Sequence, residues 1–365
     1  MKRIKVKKTK LIKIVGLLIL LGLLLLVYFY IGYLFPSSYN RYAGLAGVGA
    51  TTTLPVWSAP VLDIADYDRR LLILATGTSS QSTLATISST THRLWPVEAP
   101  YPKAGAILPF KRIVAYYGNL YSTKMGILGE YPEAEMLQRL RQDVAKWEQA
   151  DPATPVQPAL HYIVSTAQES AGADGKHRFR MPESEVKKVL AMAEKVDGIV
   201  FLDIQVGLSN LQSELPVLEK YLENPKVHLA IDPEFSMKNG DRPGEVIGTF
   251  NAQDVNYTIN FLTKIVQEHN LPPKILVIHR FTGPMLTGYR QISLNSSVQI
   301  VIDMDGWGSP ERKIGTYNSF VASQPVQFTG FKLFYKNDLK HSPNRLLTPK
   351  ELLSLKPRPI YIQYQ

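Results

Sequence analysis

The sequence predicts a (β/α)8 barrel over residues 111–365, preceded by a basic flank (1–13), a transmembrane segment (14–35) and an irregular linker (36–110). Three observations carry that prediction. From Arg112 onward, eight short apolar runs alternate with seven helical segments, the pattern of parallel strands joined by crossovers. Links leading into strands are short, as in "DG" (197–198) and "NPK" (224–226), whereas links leaving strands are long, at 165–181 and 235–250. Eight such units suit a closed barrel better than an open sheet, and the long links then gather on the face where barrel enzymes keep their sites.

The predicted strands are "RIVAYYG" (112–118), "VQPALHYIV" (156–164), "GIVFLDIQ" (198–205), "VHLAID" (227–232), "KILVIHRF" (274–281), "VQIVIDMD" (298–305), "FTGFKLFYK" (328–336) and "PIYIQYQ" (359–365). They are apolar on both faces, as strands covered by helices outside and a core inside must be. Between them, 131–150 repeats apolar residues at Met136, Leu140, Val144 and Trp147, with Pro132 at its first turn. The segment 181–196 gathers Val186, Val189, Leu190 and Ala193 on one face. Asn251 is a good N-cap for a helix carrying Val255, Ile259, Leu262 and Val266, and Thr348, Pro349 and Glu351 form a capping box. Because the last run is the eighth strand, the barrel is expected to lack its final outer helix, a gap that part of the linker would cover.

The net charge of +10 sits mostly at the start, where Lys2, Arg3, Lys5, Lys7, Lys8, Lys10 and Lys13 have no acid nearby. No basic stripe with interleaved aromatics follows, so a nucleic-acid partner is not expected. The uncharged run 14–35, at about 1.5 Å per residue, spans about 30 Å of hydrocarbon. Tyr28, Tyr30 and Tyr33 cluster at its far end. The expectation is a single-pass cell-membrane protein, N-terminus inside and barrel extracytoplasmic, or secreted if the segment is cleaved near Ala50. The linker is rich in Ser and Thr at 75–91 and in Pro at 94–110, with one small element around 69–76. The chain has no cysteine, which excludes disulfides, thiol catalysis and thiolate metal sites.

At the strand ends, apolar runs switch to polar groups. "VHLAIDPEF" ends on Asp232 and Glu234, with Pro233 between them withholding an N–H from further pairing. Asp303 and Asp305 repeat that spacing, and residues two apart share a side of a strand. Several acids around one mouth suit glycosidic hydrolysis, which needs one protonated and one ionised carboxyl, and crowding in a partly dry cleft raises one pKa. Glu234 is the candidate general acid, with Asp303 or Asp232 as base or nucleophile. Asp203, Gln205, His279, Arg280, Asp305 and Lys332 would bind sugar hydroxyls or tune the acids, and Trp307, Tyr335 and Tyr117 would stack on sugar rings. The expected ligand is a polysaccharide.

The same polar layer also suits ion pairs that merely close a barrel, or a non-catalytic glycan-binding or envelope-organising protein. A metal-dependent hydrolase is a third reading, with His279 beside Asp232, Glu234, Asp303 or Asp305 offering suitable ligand types. No HxH or HExxH spacing supports it, so neither metal nor cofactor is expected. Walker, dinucleotide and GxSxG motifs are absent.

From about Lys111 the chain resembles an uncharacterised family of extracytoplasmic bacterial proteins, often lipoproteins or cell-wall-associated. The resemblance rests on "GILGE" (126–130), "LDIQVG" (202–207), "IDPEF" (231–235), "RPGEVIG" (242–248), the strand ending in His279, "DGWGSP" (305–310) and "RPIYIQYQ" (358–365). It implies a barrel with a glycosidase-like domain and an envelope location. Asp232-Pro233-Glu234 is also similar to the Asp-x-Glu that chitinase-type barrel glycosidases place at the end of the fourth strand, although Val227, Leu229 and Ala230 stand where their longer acidic pattern is polar.

Overall fold

The computed structural model describes residues 61–78 and 94–365. Eight parallel strands form its centre: β1 Arg112–Gly118, β2 Val156–Ala167, β3 Ile199–Ile204, β4 Val227–Ile231, β5 Lys274–Arg280, β6 Val298–Met304, β7 Phe328–Leu333 and β8 Tyr361–Tyr364. Each pairs with its successor, and β8 pairs back onto β1 with Gln363 opposite Ala115, so the sheet closes. A short strand, Arg178–Arg180, runs antiparallel along the end of β2, inside the long link that follows it.

Alternation along each strand sorts the core into two layers. Val114, Leu202, Leu229 and Ile302 face outward, beneath the helices. Ile113, Phe201, Ala230, Val277, Val301 and Phe328 face inward and fill the lower barrel. Towards the C-terminal ends the inward positions turn polar, and there the candidate site begins.

The main helices are α1 Ile64–Thr76, α2 Glu133–Ala150, α3 Glu183–Glu194, α4 Ala252–Glu268 and α5 Pro310–Tyr317. The expected N-cap at Asn251 and capping box at Thr348 form, and Asn251 makes a full box too: each side chain accepts the third N–H while Asp254 or Glu351 accepts from the cap N–H. α1 extends the element expected around 69–76 back to Ile64, because Asp63 accepts from Asp66 N and starts the helix earlier. Leu71 and Leu74 of α1 pack against the lower core, and Arg358 N donates to Leu74 O at 2.7 Å. Leu108, fully buried, is held by Gln299, which accepts from Leu108 N at 3.2 Å and donates to its carbonyl at 2.7 Å. These contacts set α1 and Leu108 at the N-terminal end of the barrel, while Trp95 Nε1 donates to Ala322 O of the outer layer at 2.6 Å. On the outside, the short helix Pro349–Leu353 meets α2, so the last crossover abuts the first.

The localisation expected from the sequence is corrected. Among the described residues no helix is long and apolar enough to cross a membrane, and the stretch 14–35 lies outside them.

Candidate functional site

A cleft of about 750 Å³ opens at the C-terminal ends of the strands. Asp232, Glu234, Gln205, Asp305, Lys332 and Tyr117 line it, and Trp307, Phe235, Phe281 and Phe320 give it an aromatic wall. Its geometry starts from β4. Asp232 accepts from Glu234 N at 3.1 Å and so begins the tight turn Pro233–Phe235, which carries Glu234 into the cleft. The turn is braced from the "RPGEVIG" segment, where Gly248 N donates to Glu234 O at 2.7 Å. A Cβ at Gly248 would stand 2.6 Å from Pro233 O and from Ser236 backbone atoms, so only glycine permits this approach.

Asp305 lies just beyond β6. Its Oδ1 pairs with Lys332 Nζ at 2.9 Å and its Oδ2 faces His279 Nδ1 at 3.1 Å. Gln205 bridges the walls, donating to Asp232 Oδ2 at 3.3 Å and accepting from Ala167 N at 3.0 Å.

Below the cleft lies an enclosed polar layer. His161, Asp203, His279 and Asp303 are all fully buried. His161 Nε2 and His279 Nε2 each stand 3.4 Å from Asp203 Oδ2, and His279 Nδ1 is 3.6 Å from Asp303 Oδ2. His161 Nδ1 meets Tyr361 OH at 2.6 Å and Gln363 Nε2 at 3.0 Å. Gly330 makes room for the layer: a Cβ there would lie 2.6 Å from Asp303 Oδ1.

Burial and neighbouring charges divide the carboxyls. Burial, with Asp305 adding to it, pushes Glu234 up to about 7 against the pull of Lys332 and His279. Burial would also raise Asp305, but Lys332 and His279 hold it below the usual carboxylate range. Asp232 is pushed well above that range by burial, and Asp303 up to about 7. Asp203 is held low because His279 and His161 outweigh its burial. Burial lowers the His161 imidazole to about 4, while Asp203 and Asp305 overcome burial at His279 and raise it.

The residues singled out from the sequence therefore fall into three places. Glu234, Asp232, Gln205, Asp305, Trp307, Lys332 and Tyr117 line the cleft. Asp203, His279 and Asp303 lie enclosed beneath it. Arg280 and Tyr335 are in neither place, and their assignment to ligand binding is corrected. Arg280 follows the inward His279, so it points outward, donating to the carbonyls of Gly283 and Leu286 and to Gln324 Oε1 at 2.6 Å. Tyr335 stacks on Tyr364 with centroids 5.2 Å apart and donates to Asp143 of α2. His161 and Tyr361 also take inward positions, where His161 Nδ1 meets Tyr361 OH, and no motif in the sequence marks them. The only signal in the sequence is a histidine inside the apolar run of β2; the structure then sets it in register with Tyr117.

For holding a metal, His161, Asp203 and His279 offer donor atoms within 4.8 Å of one another.

No family model and no curated protein matches the chain. Among solved structures the chain is similar to the mannanase BCman of Bacillus subtilis (12% identity, 71% of this chain and 81% of that one, TM-score 0.34). It is also similar to GH26C from a Muricauda species (10% identity, 73% and 75%, TM-score 0.28). A third is the maltogenic α-amylase AmyB from Thermotoga neapolitana (13% identity, 59% and 49%, TM-score 0.24). The barrel itself is established by the eight strand pairings, the closure of β8 onto β1 among them.

Proposed function

We propose that the cleft hydrolyses glycosidic bonds in a polysaccharide, with Glu234 as general acid and Asp305 as the ionised partner. One observation carries this reading: the two carboxyls share one open cleft in opposite environments. Glu234 is half-buried with its pKa near 7, and Asp305 is locked in an ion pair with Lys332. Two carboxyls driven apart in this way are the equipment of acid-assisted glycoside cleavage. Asp232 positions Glu234 through its turn. Asp303, given a direct role from sequence spacing, is enclosed, and in this reading it supports His279 instead of meeting substrate. Trp307, 49% exposed and stacked on His341, supplies an apolar face for a sugar ring.

The test is release of reducing ends from a polysaccharide panel by the full chain. Glu234→Gln should lower turnover by about 10²–10⁴ while glycan retention persists. Retention without any turnover by the wild type would favour a binding protein on the same scaffold.

A further inference from the structure

We propose that His161, Asp203 and His279 form a site for one divalent ion of the zinc class, enclosed beneath the cleft. The three side chains come from β2, β3 and β5 and are fully buried. Both Nε2 atoms stand 3.4 Å from Asp203 Oδ2. Donors held about 2.0–2.2 Å from a tetrahedral ion lie roughly 3.3 Å apart, which is this spacing. That is longer than an ordinary imidazole–carboxylate hydrogen bond, about 2.7–3.2 Å. Here His161 Nε2, His279 Nε2 and both Asp203 oxygens have no hydrogen-bond partner. Leaving four such atoms unsatisfied in an enclosed layer is costly, and an ion would satisfy both imidazoles and the carboxylate at once.

The surroundings fit as well. Histidine ligands usually place their second ring nitrogen against a carboxylate, carbonyl or other polar oxygen. His161 Nδ1 meets Tyr361 OH at 2.6 Å with Gln363 Nε2 at 3.0 Å, and His279 Nδ1 lies 3.1 Å from Asp305 Oδ2 as an ion-pair contact short of hydrogen-bond geometry. Two imidazoles and one carboxylate suit zinc and its neighbours, whereas calcium and magnesium prefer oxygen alone. Tyr117 screens the site from the cleft, with its ring centroid 5.2 Å from that of His161 and 5.9 Å from that of His279. The ion would therefore tie three strands together and set a fixed positive charge under the acids, without meeting substrate.

The experiment uses the full chain, stripped by a chelator and titrated with ZnCl2 alone, read by calorimetry and by metal content after dialysis. Co²⁺ in place of zinc gives a visible ligand-field spectrum that reports coordination. The expected result is one equivalent bound, a raised melting temperature, and loss of both in Asp203→Asn and His161→Gln. Circular dichroism checks that these variants fold, and the near-isosteric Asp203→Asn keeps the test available if His161→Gln does not. Glu234→Gln should bind zinc as the wild type does. No binding, or binding unchanged in Asp203→Asn, would overturn the proposal. So would loss in Glu234→Gln, which would move the ion into the cleft. Because the readout is metal content and not turnover, it stands or falls separately from the glycosidase reading.

Discussion

Lys332 places its ammonium 3.7 Å from the centre of the Tyr117 ring while holding Asp305 Oδ1 at 2.9 Å. One buried cation thus satisfies a π face and a carboxylate together. Lys332→Met would keep the packing of the stem and leave Asp305 buried with only His279 beside it. The expected destabilisation is about 3–5 kcal/mol. Adding Asp305→Asn should return much of it, which a double-mutant cycle in urea would measure; additive losses would show that the pair is not coupled.

Glu234 gives a pH dependence with a definite sign. Its carboxyl is raised from 4.5 to about 7 in the folded chain, so folding favours the protonated form. That contribution is fully present below pH 4.5 and is lost as pH rises through about 7. Relative to Glu234→Gln, the wild type should therefore lose stability across that window. If Glu234 is the acid, the alkaline limb of the pH–rate profile should fall near the same pH.

Lys274 runs the opposite way. It is fully buried at the start of β5, donating to Asn224 O at 2.7 Å and Val227 O at 3.0 Å, and burial lowers it from 10.5 to about 7. The unfolded chain binds the proton more tightly, so stability is greatest above pH 10.5 and declines as pH falls to about 7. Lys274→Met should flatten that slope in denaturation curves collected at several pH values. An unchanged slope would place the titration elsewhere.

Gly330 is tested by size. A methyl there meets Asp303 Oδ1 at 2.6 Å and Tyr361 Cδ1 at 2.9 Å. Gly330→Ala should cost about 1–3 kcal/mol from overpacking, seen as a lowered urea midpoint. A neutral result would mean that the enclosed layer can shift to make room.

The strands were legible because a parallel sheet covered on both faces writes long apolar runs, and the unequal links showed which ends carry the loops. What one sequence does not give is which of two adjacent polar residues faces inward. His279 and Arg280 read alike as a pair, yet closure of the barrel sends one into the enclosed layer and the other under the loop after β5. Asp303 and Asp305 share a spacing, but only Asp305 lies beyond the last strand residue and reaches the cleft. His161 carries no such spacing, and a single histidine inside an apolar run is most often a packing residue. Its partners arrive from β3 and β5, far along the chain.

Leu108 and α1 stopper one end of the barrel, and this has a consequence for solvent. Water reaching the enclosed histidines and aspartates must then come by way of the cleft mouth. A molecule seated in that mouth would act as a cork, cutting the layer off from bulk exchange and freezing its count of protons for as long as it stays bound.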